Sequence, residues 1–143
     1  MIVLDTNVVS EMMRPAPDSS VLNWLNTQIA GELWLNSVVV SELLFSIARL
    51  PAGARKRLLT DTFAAMLDQD FAGRILPFDL EAAVIYAELS AACEAKGRPV
   101  AMADGQIAAI CLAQGATLAT RNLKHFGGLG LVLVNPWVIT SGN

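Results

Sequence analysis

Short apolar runs alternate with helix-forming stretches along almost the whole chain. This alternation narrows the possible folds more than any other feature. "IVL" at 2–4, "LWLN" at 33–36, "RILPF" at 74–78, "ATLAT" at 116–120 and "LVLVN" at 131–135 read as strands. "TNVVSEMM" starts a helix that Pro15 and Pro17 stop, because proline lacks the N–H and clashes with the preceding turn. "PDSSVLNWLNTQ" predicts a short helix capped by Asp18 or Ser19, with Val21, Leu22 and Leu25 on one face. Ser37 is expected to cap a helix through "VVVSELLFSIARL", and "GARKRLLTDTFAAMLDQDF" predicts another with a basic start. Asp79 is expected to cap "LEAAVIYAELSAACEAKG", which Gly97 ends, and Gly115 closes "MADGQIAAICLAQG". Such alternation predicts an α/β fold: one domain over 1–143, with a central parallel sheet of about five strands flanked by helices. In sheets of this kind, sites form beyond the carboxyl ends of the strands.

The apolar share of 54% and the charged share of 16% fit packed layers and a buried face between copies. A formal net charge of −3 gives no general electrostatic grip on nucleic acid, so any such binding needs a local basic patch. The chain has two cysteines and one histidine, which excludes a Cys/His metal centre. Cys93 and Cys111 sit in alanine-rich helical patterns and read as small core residues. Asp5 interrupts the apolar start and no basic segment precedes it, so no signal peptide is expected. No apolar run approaches the ~20 residues of a membrane span, and the default compartment is the cytoplasm.

Asp5 follows the first apolar run directly, and no Lys or Arg appears before Arg14. A buried, unpaired carboxylate costs several kcal/mol, by rough estimate, or a large pKa shift. Two further acids share this apolar company: Glu42 in "VVVSELLF" and Asp104 in "VAMADGQIAAI". Taken singly, each has a plain structural explanation as a cap or a solvated helix position. In a parallel sheet, however, all three can converge at one edge. Carboxylates gathered without basic partners either protonate or bind a cation. Hard oxygen donors without thiolate or imidazole select Mg²⁺ or Mn²⁺. Such an ion binds phosphate oxygens and lowers the pKa of bound water, as phosphodiester hydrolysis requires.

At this point the sequence resembles PIN-domain ribonucleases, specifically the VapC-type toxins of bacterial toxin–antitoxin systems and their FitB-like branch. The resemblance rests on "MIVLDTNVVSE", "SVVVSEL", "GRILPFD", "ADGQIAAI", "ATLATRNLKHF" and the late "NPW", in that order. It implies a metal-dependent endoribonuclease with an acidic Mg²⁺ or Mn²⁺ site, whose invariant acids fall on Asp5, Glu42 and Asp104. A fourth acidic position often lies in a "TRD" segment. Here the segment reads "TRN", so Asn122 stands there and brings a carbonyl but no charge. Thr6, Asn7 and Thr120 match supporting positions that orient carboxylates. The resemblance also implies a homodimer and a cognate antitoxin that neutralises the toxin and alone contacts promoter DNA.

Arg121 and Lys124 lie beside these residues and are the expected RNA contacts. Arg55, Lys56 and Arg57 read as a solvated basic surface, with phosphate contact as the alternative. His125 reads as an exposed loop residue, with proton donation as the alternative. Trp24, Trp34 and Trp137 read as core or interface anchors. Two other functions stay open. One is a non-catalytic module whose acids dock a basic partner. The other is a phosphatase with Asp5 as nucleophile, which wants a second acid where Asn7 stands.

Overall fold

The protein is described here by a computed structural model over residues 1–138, so the expected domain end at Asn143 lies outside the described residues. Strand β1 (Ile2–Leu4) leads into α1 (Thr6–Met12) and α2 (Ser19–Asn26). Then come β2 (Leu33–Asn36), α3 (Ser37–Ala48), α4 (Ala54–Ala65) and β3 (Ile75–Leu76). A helical hairpin, α5 (Leu80–Ala95) and α6 (Met102–Gln114), precedes β4 (Thr117–Ala119), α7 (Leu123–Phe126) and β5 (Leu133–Val134).

The five strands form one parallel sheet in the order β3-β2-β1-β4-β5. This is the α/β architecture expected from the alternation. The first strand lies in the middle, with Leu4 beside Ala119 of β4. The chain winds outward from β1 to β2 and β3, then crosses back to place β4 on the other side. The crevice at that reversal, beyond the carboxyl ends of β1 and β4, is where sheets of this type hold their sites. Central strand residues Val3, Leu4, Leu35 and Leu118 are fully buried, as two-sided coverage by helices requires.

Several local expectations are corrected. Asn36, not Ser37, caps α3: its Oδ1 accepts the Val39 N–H at 2.9 Å. Ser37 is the first helical residue, and its hydroxyl instead accepts the Phe78 N–H at 3.2 Å. On α2, Leu22 faces outward, while Val21 is buried and Trp24 and Leu25 pack against the core. The third strand is only Ile75–Leu76, because Pro77 cannot donate to a ladder. The helix after Gly53 widens into a π turn at Met66–Asp70, where the Phe71 N–H reaches the Met66 carbonyl at 3.0 Å. That wider turn carries Phe71 into the core, where it is 3% exposed. Asp18 and Asp79 cap as expected, and Gly97 and Gly115 both take positive φ at their helix ends.

Helices α5 and α6 pack through Gly105. A Cβ there would stand 2.9 Å from the Tyr86 ring, so glycine permits the close approach. Gly105 follows Asp104 directly, so this contact fixes where the first turn of α6 sits.

Candidate active site

Asp5 is held at the sheet edge from several sides. Its backbone N–H donates to the Ala119 carbonyl at 2.9 Å, which extends the β1–β4 ladder by one step. Its Oδ1 accepts the Thr6 N–H at 2.8 Å and so caps α1. Its Oδ2 accepts the Thr120 hydroxyl at 2.7 Å, and the Asn7 amide stands at 3.4 Å. Thr120 is itself fully buried and takes the Asn122 N–H at 3.0 Å. The Arg121 N–H donates to Asn7 Oδ1 at 3.2 Å, tying the loop after β4 to the start of α1. Thr6 reaches the second acid, its hydroxyl donating to Glu42 Oε1 at 2.8 Å. Thr6, Asn7 and Thr120 thus each contact one of these acids.

Asp104 lies in the first turn of α6, where the helix dipole favours a carboxylate and where Ala101 offers no capping side chain. The acids influence one another. Burial pushes the Asp5 carboxyl above its ordinary value of 3.8; the Thr120 and Thr6 hydrogen bonds oppose the shift, and the Asp104 charge adds to it. Burial also raises Asp104; His125 opposes this, and Glu42 adds to it. Beneath the site, burial and then the Asp5 charge push the Cys111 thiol up to about 12.

Asp5, Glu42 and Asp104 line one open cleft of about 610 Å³, together with Asn122, Thr6, Asn7 and Arg121. The structure therefore brings the expected site residues together, with two exceptions. Thr120 lies below the cleft rather than in its wall, and Lys124 faces a neighbouring cleft. The Asn122 side chain makes no cap contact with α7.

The structure also brings to the site Glu11, which the sequence did not single out, and Arg55, Trp137 and His125, whose first readings lay elsewhere. Glu11, 6% exposed, reaches the cleft wall and pairs with Arg14 at 3.3 Å. The i, i+3 spacing of Glu11 and Arg14 on α1 was the available signal. Arg55 lines the cleft instead of joining a purely solvated surface. Trp137 lines it too, with the Arg121 guanidinium 5.0 Å above its ring centre. His125 belongs to α7 rather than a loop; although 58% exposed, its Nδ1 stands 3.4 Å from Asp104 Oδ2.

Among the described residues, no three acidic, imidazole or thiol groups close tightly around one point, so the cleft is not a finished ligand cage. Its donor chemistry nonetheless fits a hard divalent cation. Besides Glu11, which pairs with Arg14, three carboxylates from three elements face one space, the half-exposed thiol Cys93 lies in the other cleft, and Cys111 stays protonated. Neither Asp5 nor Glu42 has a cationic partner within 4 Å among the described residues.

The profile of the PIN domain matches residues 2–126. A protein of Sinorhizobium fredii named VapC ribonuclease Y4jK is 42% identical over 137 residues, covering 96% of this chain and 98% of that protein. Toxin FitB of Neisseria gonorrhoeae is 39% identical over 137 residues, covering 96% and 99%. The solved structure of FitAB bound to an IR36 DNA fragment superposes with a TM-score of 0.91 at 37% identity, covering all of both chains. VapBC2 from Rickettsia felis, bound to a DNA fragment from its promoter, gives 0.77 at 29%, covering 94% of this chain and 98% of that one.

Proposed function

This chain belongs to the PIN domain family, and from that membership we propose that it is an endoribonuclease toxin, dependent on Mg²⁺ or Mn²⁺ and neutralised by a cognate antitoxin. The observation that carries the reading is the cleft in which Asp5, Glu42 and Asp104 face one another without a basic partner for Asp5 or Glu42. These three residues would hold the ion, with Asn122 offering a neutral carbonyl. When bound, the ion supplies positive charge against the developing charge of the phosphodiester and acidifies water.

The chain's own residues do the remaining work. Thr6 keeps Glu42 aimed into the cleft through the 2.8 Å hydrogen bond. Thr120 holds Asp5 in one rotamer, and Arg14, Arg55 and Arg121 at the cleft wall offer charge to the RNA backbone. The relatives named as ribonuclease and toxin, and the neighbour structures of toxin–antitoxin complexes, support the assignment. A homodimer is part of the same reading, and the exposed Leu44, Phe45 and Leu80 are apolar groups that a partner chain can cover. Promoter DNA is contacted only through the antitoxin. No helix among the described residues is long and apolar enough to cross a membrane.

The test is cleavage of a pool of cellular RNA by the purified protein with Mg²⁺ or Mn²⁺, with the cut sites mapped. Cleavage that a chelator stops is expected, and intact RNA under all these conditions refutes the assignment. Light scattering at micromolar protein checks the dimer.

A further inference from the structure

A second cleft, of about 640 Å³, opens on the other side of Asp104. Asp104 belongs to both clefts, so the two meet at a single carboxylate. The balance of charge differs between them. The first is lined by Asp5, Glu11, Glu42 and Asp104 with Arg14, Arg55 and Arg121; the second carries Lys96, Arg98, Lys124 and His125, with Asp104 its only acid among the described residues. Lys96, Arg98 and Lys124 are exposed, and none of the three ion pairs among the described residues includes them.

This basic lining is rigidly built. Helix α5 ends in a Schellman turn: Gly97, at φ +71°, donates to the Glu94 carbonyl at 3.0 Å and Arg98 donates to the Cys93 carbonyl at 2.9 Å. That turn fixes the backbone from which Lys96 and Arg98 project. Lys124 and His125 are carried by α7, and Gly127 and Gly128 beyond it leave bare backbone in the lining.

We propose that this cleft receives the RNA strand on one side of the cut bond, its phosphates lying between Lys96, Arg98 and Lys124. The proposal rests on the reading of the acidic cleft as an RNA-cutting site. The acidic cleft offers Arg14, Arg55 and Arg121 to the phosphates at the cut, but in a chain of net charge −3 the rest of the strand needs a positive surface of its own. The strand must also continue past the scissile phosphate, and the basic cleft begins where the acidic one ends. Single-strand tracks are built on a positively charged groove that follows the nucleic-acid backbone.

Cys93 offers a direct probe. It is half-buried in the cleft lining, whereas Cys111, the chain's other cysteine, is buried with its thiol pushed up to about 12. Maleimide labelling of the folded protein therefore reads Cys93. A saturating RNA oligonucleotide carrying a mapped cut site, or total cellular RNA if no cut is found, is added with chelator, and its binding is followed by anisotropy. It is expected to slow labelling severalfold; an unchanged rate with RNA bound overturns the proposal.

The second arm is the double variant Lys96→Gln, Arg98→Gln. Both side chains are exposed, so the fold should survive, as the melting temperature will show. Its kcat/KM on long RNA should fall about tenfold through KM, and its salt dependence should flatten by about 1.4 in log–log slope, as two lost contacts to a single strand predict. The advantage of RNA with a long flank over RNA with a short one should also disappear. Unchanged KM, slope and flank dependence overturn the proposal. So does a variant that keeps its RNA kinetics but escapes antitoxin, which would give the cleft to a protein partner. Failure of the unmodified protein to cut any RNA refutes the enzymatic reading instead, and Cys93 protection still reports whether RNA occupies the cleft.

Discussion

The Thr120 hydroxyl donates to Asp5 Oδ2 at 2.7 Å, joining the ends of two strands that lie 115 residues apart in sequence. The same oxygen accepts the Asn122 N–H, so one buried hydroxyl serves both the acid and the loop beyond β4. Thr120→Val keeps the shape but leaves both groups without their partner. It should cost about 1–3 kcal/mol in urea unfolding, the range for stranding buried polar groups. Thr120→Ser retains the hydroxyl and should recover most of that loss. Equal stability of Thr120→Val and the parent would show that the bond contributes nothing.

The Asp5 and Asp104 carboxyls are raised by burial, which fixes a sign for the pH dependence of the metal-free protein. A carboxyl with its folded pKa above its unfolded value favours folding below the unfolded value. That contribution is lost as pH rises through the folded pKa. Asp5→Asn removes the charge; its amide oxygen can still cap α1, and its amide nitrogen faces Thr120. The variant should therefore gain stability relative to the parent as pH rises from about 4 toward neutrality, and Mn²⁺ should narrow the difference by stabilising only the parent. Melting curves in chelator across this pH range test it, and a difference that stays flat with pH would refute the burial cost assigned to the Asp5 charge.

On RNA, Asp5→Asn, Glu42→Gln and Asp104→Asn should each lower Mg²⁺-dependent cleavage by more than about 100-fold, the upper end of what loss of a merely supporting contact costs. Circular dichroism should remain that of the parent. Near-normal cleavage by any one of them removes that residue from the proposed site.

Asn122 stands where a fourth acidic ligand often does, and Glu11, the other carboxylate of the cleft, is engaged by Arg14. We expect one tightly held divalent ion in the free protein. Asn122→Asp should tighten Mn²⁺ binding and shift its pH dependence, since a further carboxylate raises its neighbours when no ion is present. Calorimetric titration decides this. Two strong sites in the parent, or no change in affinity in the variant, would show that Asn122 does not border the ion.

Much of this architecture was legible in the sequence, because local signals set it. Asp18 and Asp79 precede apolar helical patterns, and Gly97 and Gly115 follow them. The three acids stood out because each sat in apolar surroundings without a local partner. The misreadings have a common source in tertiary contacts. Asn36 looks like the last residue of a strand, and only the α3 backbone turning over it makes it a cap. Nothing near His125 in sequence announces Asp104, twenty-one positions earlier, and the Arg121–Trp137 contact joins the loop after β4 to the chain beyond β5. Strand ends were overextended because apolar residues such as Phe78 and Leu131 pack against the core beyond the paired residues of β3 and β5, so the hydrophobic run outlasts the ladder.

The position of β1 in the middle of the sheet has a consequence for synthesis. The ribosome delivers this strand before the other four, yet β4 follows only at Thr117–Ala119. Closing so long a loop is entropically costly and slow, and it cannot begin until the late segment has emerged. A nascent chain halted before residue 117 carries Asp5, Glu42 and Asp104 but has neither Thr120 to orient Asp5 nor Asn122 and Arg121 to complete the cleft. Products terminated before β4 should therefore be harmless: the order of translation itself withholds the assembled site until β4 and the loop beyond it have emerged.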